Sequence, residues 1–246
     1  MKFKKYISLN EYKYYEDAWK DFKNDWFKIL KNCKSYLKEF ESSGSKISLY
    51  RGNKYLGKSL VKKDSRLESN RIPSDTPQEV HEISNRIFKK IFGWPVRNGV
   101  FATSNQANAI EYGRLWMFFP IGNYKYVWST KYEDFFEALV KENILIKRGN
   151  KGILNPDVQD LEKRLLSMIR TYKTKNLKNA IYSENEIIFN CKSYYLLDKY
   201  YFNVIGDLLD NNKKFDDINY IQKIFKEGEY FSGKFDREVG TQDEWI

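Results

Sequence analysis

From Ser8 to about Phe40 the large apolar residues recur at steps of three and four, through Tyr15, Trp19, Phe22, Trp26, Phe27, Leu30 and Leu37, and beyond Gly44 that rhythm is gone. Such a stripe can be buried only if the stretch forms one or two amphipathic helices, capped at Ser8 or Asn10, with the aromatic face as a packing surface. Glu41-Ser-Ser-Gly-Ser-Lys46 breaks the helix. Past this break the chain changes character. Short β-branched and aromatic runs at 47–52, 99–104, 116–121, 124–128, 182–189 and 193–197 read as strands, the middle pair lying around a Gly122-Asn123 turn. Helical periodicity returns at 77–91, capped at Asp75 or Thr76, at 106–112 before Gly113, and at 131–145 and 155–172. Residues 54–78 and 173–179 read as basic loops, and the end mixes helix with a polar tail from 231. Helices and strands so distributed define an α+β chain.

Its core must be aromatic. Phe, Tyr and Trp make up 17% of the 246 residues within a hydrophobic pool of 41%, which excludes general disorder although 31% are charged. The net charge of +10 favours anionic partners, whether nucleic acid, a nucleotide or an acidic protein surface, without choosing among them. One histidine, His81, and two cysteines, Cys33 and Cys191, cannot furnish a four-ligand zinc site, and a Cys–His nucleophile pair is nearly excluded with it. His81 reads as a solvated or capping residue, and Cys191, near Phe189 and Tyr194, as a buried strand thiol. Two distant cysteines suit a reducing compartment, and no run of about 18 apolar residues suggests a membrane span. A soluble cytoplasmic protein without a membrane partner is the expectation. The glycines form neither GxGxxG nor a phosphate-loop pattern, which disfavours a Rossmann dehydrogenase or a P-loop NTPase.

Three strand-associated segments are polar where a structural strand would be apolar: Tyr50-Arg51-Gly52, Phe101-Ala-Thr-Ser104 and Ser183-Glu-Asn-Glu186. On one strand Glu184 and Glu186 would share a face roughly 6–7 Å apart. Like charges so placed are either solvated at a strand edge or used, by a cation or by a reaction such as cleavage of a glycosidic bond through an oxocarbenium-like transition state.

Taken in order, an arginine, a Thr-Ser pair and a Glu-x-Glu running into an apolar strand resemble the Arg–Ser–Glu class of mono-ADP-ribosyltransferases, over about residues 46–197. Leu49-Tyr-Arg-Gly52 matches the first motif, Phe101-Ala-Thr-Ser-Asn105 the second, and Ser183-Glu-Asn-Glu-Ile-Ile-Phe189 the third. In the second, Thr103 stands where the family has its leading serine and Asn105 where it has its last, so the leading hydroxyl is kept. The resemblance implies a pair of small, mostly antiparallel sheets split around an NAD cleft, with no metal. The expected organisation is an N-terminal helical segment at 1–45, a transferase-like domain at 46–200 and a C-terminal extension at 201–246 packed on it. A second likeness, carried by Arg71-Ile-Pro-Ser-Asp-Thr-Pro77, Phe92-Gly93, Tyr112-Gly113, Phe119-Pro-Ile-Gly122 and Val127-Trp-Ser129, is to a family of phage-encoded proteins of unassigned activity, which would place the chain in a host cytoplasm or a virion.

The same resemblance assigns roles. Glu186 would stabilise the positive charge that develops on the ribose as nicotinamide leaves and hold the 2′-hydroxyl. Arg51, beside Gly52, would grip the pyrophosphate or adenine ribose. Thr103 and Ser104 would hydrogen-bond the Glu186 carboxylate, and Tyr112 or Tyr50 would contact nicotinamide. Glu184 would face the acceptor, an arginine side chain of a protein on the family pattern. Each has a plainer alternative: a surface ion pair for Arg51, an ordinary turn or helix cap for Thr103 and Ser104, core packing for the tyrosines. Two other functions compete with transfer to a macromolecule. One is NAD hydrolysis, with water as acceptor. The other is a non-catalytic virion or nucleic-acid-binding protein on a transferase-like fold.

Overall fold

The structure is a computed structural model that describes residues 9–54, 56–67, 73–149 and 151–227. The Ser8 cap, Arg71 and the tail from 231 lie outside the described residues, as does the Asn10 side chain. Helices α1 (Leu9–Asn32) and α2 (Lys34–Ser43) carry the aromatic stripe. Phe22 is its hub, with ring centroids 4.8 Å from Tyr201, 4.9 Å from Phe225 and 5.7 Å from Trp26. The fully buried Trp26 indole donates to the Phe215 carbonyl at 2.9 Å. Phe27 departs from the expected stripe and is 44% exposed, because it follows Trp26 directly and points about 100° away from it around the helix.

After Gly44, left-handed at φ 63°, the chain enters β1 (Tyr50–Asn53), shorter than the strand expected at 47–52, and then β2 (Leu60–Asp64). The second strand falls inside the stretch read as a basic loop. It is an edge strand, where Lys62, Lys63 and Asp64 discourage pairing with another chain, and that charge hid it. Helix α3 (Gln78–Phe92) begins after Pro77 with no side-chain cap, so neither Asp75 nor Thr76 plays that part. His81 is 3% exposed within α3, its Nε2 3.1 Å from Asn85 Nδ2; it is a packed residue, not a solvated or capping one.

A single 3-10 turn, Val96–Asn98, leads into β3 (Val100–Ala102), and α4 (Gln106–Ile110) comes after it, capped by Asn105, whose side chain accepts from the Asn108 N–H. Then come β4 (Arg114–Pro120) and β5 (Tyr124–Ser129). These two do not pair with each other. The left-handed Gly122, whose N–H is tied to the Asn32 carbonyl at 2.8 Å, carries the chain from one sheet to the other.

The helix expected at 131–145 contracts to α5 (Phe135–Lys141), capped by Asp134 and succeeded by a left-handed Asn143. A hairpin of β6 (Leu145–Arg148) and β7 (Lys151–Leu154) comes next, turned by a left-handed Gly149. The helix expected at 155–172 is α6 (Leu161–Ile169), which leads to the short strand β8 (Tyr172–Lys173). Within the supposed loop at 173–179, Asn176 caps α7 (Leu177–Tyr182), so the strand expected from 182 begins later, as β9 (Ile187–Cys191). The described chain ends with β10 (Ser193–Asp198), α8 (Phe202–Asp210) and α9 (Ile218–Glu227).

Two antiparallel four-stranded sheets result, ordered β1-β4-β10-β2 and β3-β9-β5-β8. The second is covered on both faces. Phe189, Ile187 and Tyr126 belong to the core shared with the first sheet, α1 and α2, while Ile188 and Val127 pack against α3, α5 and α6. That double burial explains the unbroken Ile187-Ile188-Phe189 run. The two sheets touch where Tyr50 and Thr103 exchange main-chain bonds of 2.7 and 3.0 Å. Among the described residues no helix is long and apolar enough to cross a membrane. Cys33 and Cys191 are both buried free thiols.

Candidate active site

The Tyr50–Thr103 junction brings Arg51, one step along β1, to the end of β3. Arg51 Nη1 donates to the Phe101 carbonyl at 2.5 Å, and its Nε is buried with no hydrogen-bond partner among the described residues. The guanidinium therefore spans the seam between the sheets, held by the Phe101 carbonyl and near the Tyr194 phenol rather than by a surface carboxylate. Gly52 lets the end of α4 close over β1: a Cβ there would stand 2.0 Å from the Ala109 carbonyl oxygen and 2.8 Å from Tyr112 Cβ. This approach sets Tyr112 at the mouth, 72% exposed, while Tyr50 is 8% exposed with its ring 5.1 Å from Phe202. Both tyrosines line the same cleft, Tyr50 largely packed and Tyr112 open.

Glu186 arrives from the opposite side. It is the last residue before β9; its N–H donates to the Glu133 carbonyl at 2.7 Å, and its side chain is 22% exposed. Arg51, Gly52, Thr103, Tyr112 and Glu186 line one cleft of about 460 Å³, within the range of small-molecule sites. Ser104 and Glu184 do not line it.

Two expectations need correction. Glu184 and Glu186 do not share a strand face. The strand starts at Ile187, and Glu184 is left-handed at φ 60° on the surface, where Asn105 Nδ2 reaches its Oε2 at 3.3 Å. Nor do the hydroxyls reach the Glu186 carboxylate. Thr103 Oγ1 donates to the Glu184 carbonyl at 2.7 Å and accepts from the Asn105 N–H at 3.0 Å, while the buried Ser104 donates to the Ile181 carbonyl. They brace the main chain of the segment that delivers Glu186.

Arg97 is not among the residues that the sequence singles out. Its Nη1 lies 3.4 Å from Glu186 Oε1, its side chain is 6% exposed, and its Cζ stands 5.0 Å from the Phe101 centroid and 4.3 Å from that of Phe135. A charge inside the apolar run Trp94-Pro-Val-Arg97, just ahead of a strand, was the available signal. Asp75, Glu111, Glu133, Asp134 and Glu137 also line the cleft and were missed, as was Lys147, which pairs with Glu137 at 2.6 Å. With Glu186 they make six carboxylates against the cations Arg51, Arg97 and Lys147. Partial burial raises the Asp134 carboxyl above its ordinary value, an effect that the Glu137 N–H and Arg97 partly oppose. Desolvation and then the nearby Glu186 and Asp134 push the Tyr112 phenol up to about 12, so it remains a hydrogen-bond donor at neutral pH. Such a wall stabilises positive charge developing inside the cleft and repels a polyanion.

Comparison of the chain with protein-family models, with curated proteins and with solved structures finds no match.

Proposed function

We propose that the chain is a mono-ADP-ribosyltransferase of the Arg–Ser–Glu type, moving ADP-ribose from NAD to a macromolecular acceptor. The observation that carries this reading is that Arg51 and Glu186, 135 positions apart by their numbering (186 − 51), both line one cleft at the seam of two antiparallel sheets. In this reading the Arg51 fork holds the pyrophosphate or the adenine ribose, and Gly52 lets the end of α4 close over β1 so that Tyr112 stands at the mouth. Tyr112 covers the nicotinamide from the mouth. Glu186 supplies the negative charge that the ribose needs as its bond to nicotinamide breaks, an interaction stronger in the transition state than in the bound ground state.

In this reading Glu184, exposed two residues from Glu186 and outside the cleft lining, faces the acceptor, and an arginine guanidinium suits it and the acidic rim. Thr103 and Ser104 act one step back, through the main chain. The acidic lining counts against nucleic acid entering this cleft, whatever the net charge of +10 attracts elsewhere. Hydrolysis of NAD by water uses the same cleft and is distinguished by product.

NAD labelled in its adenylate, incubated with the protein and a cell extract, should yield labelled macromolecules. Glu186→Gln should abolish that label with NAD affinity largely kept, because the change removes charge and not contact surface. Label released only as free ADP-ribose assigns the hydrolase instead, and equal activity of wild type and Glu186→Gln removes both enzyme readings.

A further inference from the structure

The Thr103 and Ser104 hydroxyls are engaged by main-chain carbonyls, whereas Arg97 reaches the Glu186 carboxylate at 3.4 Å. We propose that Arg97 is the positioning residue of Glu186, holding that carboxylate ionised and aimed into the cleft. The inference rests on the reading of Glu186 as the acid that works there.

Burying a guanidinium is costly unless it is well partnered, and this one is fixed from several directions. The Phe101 and Phe135 rings lie against it, an arrangement that favours a cation over aromatic faces. Its own main-chain N–H donates to Asn85 Oδ1 at 2.9 Å, and Asn85 is in turn bonded to Asn98 and to the buried His81. The residue is thus built into α3 and the turn before β3, and its charged end emerges at Glu186.

The surroundings of Glu186 explain the need for it. Glu133 and Asp134 approach from the start of α5, Asp75 and Glu111 line the same cleft, and Tyr112 and Tyr172 come from the α4–β4 turn and β8, each phenol raised first by burial and then by the Glu186 charge. Neighbouring carboxylates favour a protonated Glu186, which would have lost the charge its role requires. Arg51 across the cleft and Lys147 on β6 are the other cations of the wall, and Lys147 is taken by Glu137. An opposite charge within about 4–6 Å offsets such repulsion by about 1–3 pH units.

The test compares Arg97→Met with Arg97→Lys, in protein carrying carboxyl-labelled glutamate, by following the Glu186 carboxyl resonance through a pH titration and NAD turnover over the same range. Arg97→Met should move the Glu186 midpoint up by about 1–3 units and carry the acid limb of kcat with it. That costs about tenfold in rate per unit at pH below the limb, with KM for NAD little changed. Arg97→Lys should stay near wild type in both. Should Arg97→Met fail to fold, Arg97→Gln, which keeps a planar group against the rings, carries the same comparison. A Glu186 midpoint unmoved in the charge-free variants, or moved equally by lysine, overturns the proposal, since packing alone would then explain Arg97. A shifted midpoint in a protein that never turns over NAD upholds the pairing and removes the transferase reading.

Discussion

Gly52→Ala introduces one methyl group, and the structure says what it meets. The new Cβ would lie 2.0 Å from the Ala109 carbonyl oxygen and 2.9 Å from the Tyr112 carbonyl carbon, whereas carbon and oxygen ordinarily approach no closer than about 3.3 Å. Both obstacles are main chain, so α4 would have to back away from β1 by more than an ångström. Overpacking of this kind costs about 1–3 kcal/mol or more, which in a domain of this size lowers the melting temperature by about 2–4 °C per kcal/mol.

Gly206 provides the control: it sits inside α8, and an added Cβ there would meet nothing within 4 Å. Gly206→Ala should therefore stabilise by about 0.5–1 kcal/mol through helix propensity. Calorimetry of the two variants beside wild type should show opposite shifts, and Gly52→Ala should also weaken any ligand that Tyr112 covers. A Gly52→Ala protein that melts with wild type would refute the close approach of α4 to β1, and with it the placement of Tyr112.

The same geometry sets other outcomes. Thr103→Val removes the bond to the Glu184 carbonyl and the acceptor for Asn105 and should cost about 1–2 kcal/mol in urea unfolding, with turnover falling further than NAD affinity. Burial raises the Asp134 carboxyl above 3.8. A carboxyl raised on folding binds its proton more tightly in the native state, so the stability linked to it is present at low pH and lost as pH climbs through the raised value. Asp134→Asn keeps the acceptor for the Glu137 N–H and should raise the melting temperature at pH 7, a gain that fades below about pH 4. Burial pushes the Cys33 thiol up to about 12 and that of Cys191 to about 11. At pH 8 a thiolate fraction of about 10⁻³ or less is left, so neither cysteine should react with a chromogenic disulfide until denaturant is added.

Much of the fold was legible where a local rule governs. The three- and four-residue steps from Trp19 to Leu37 forecast α1 and α2, and Ile187-Ile188-Phe189 reads as an apolar strand without help from its neighbours. What escaped was set by partners far along the chain. β2 is held by β10, a pairing that lets Lys62 and Lys63 sit in a strand, and β8 is a strand only because β5 lies beside it. The site divides in the same way. Arg51, Gly52, Thr103, Tyr112 and Glu186, singled out from their local segments, line one cleft. The face shared by Glu184 and Glu186 was argued from a period of two that a left-handed residue cancels. Arg97, a charge inside an apolar run, leaves a faint local trace, but its packing over Phe135 beside Glu186 is set by residues far along the chain.

Arg51 and Glu186 should grip opposite ends of one dinucleotide, and a crystal of the Glu186→Gln protein soaked in NAD reads that directly. Uncleaved NAD should lie with its phosphates or adenine ribose on Arg51 and its nicotinamide ribose within hydrogen-bond reach of residue 186. An empty cleft at saturating NAD, or a nucleotide bound elsewhere on the molecule, contradicts it.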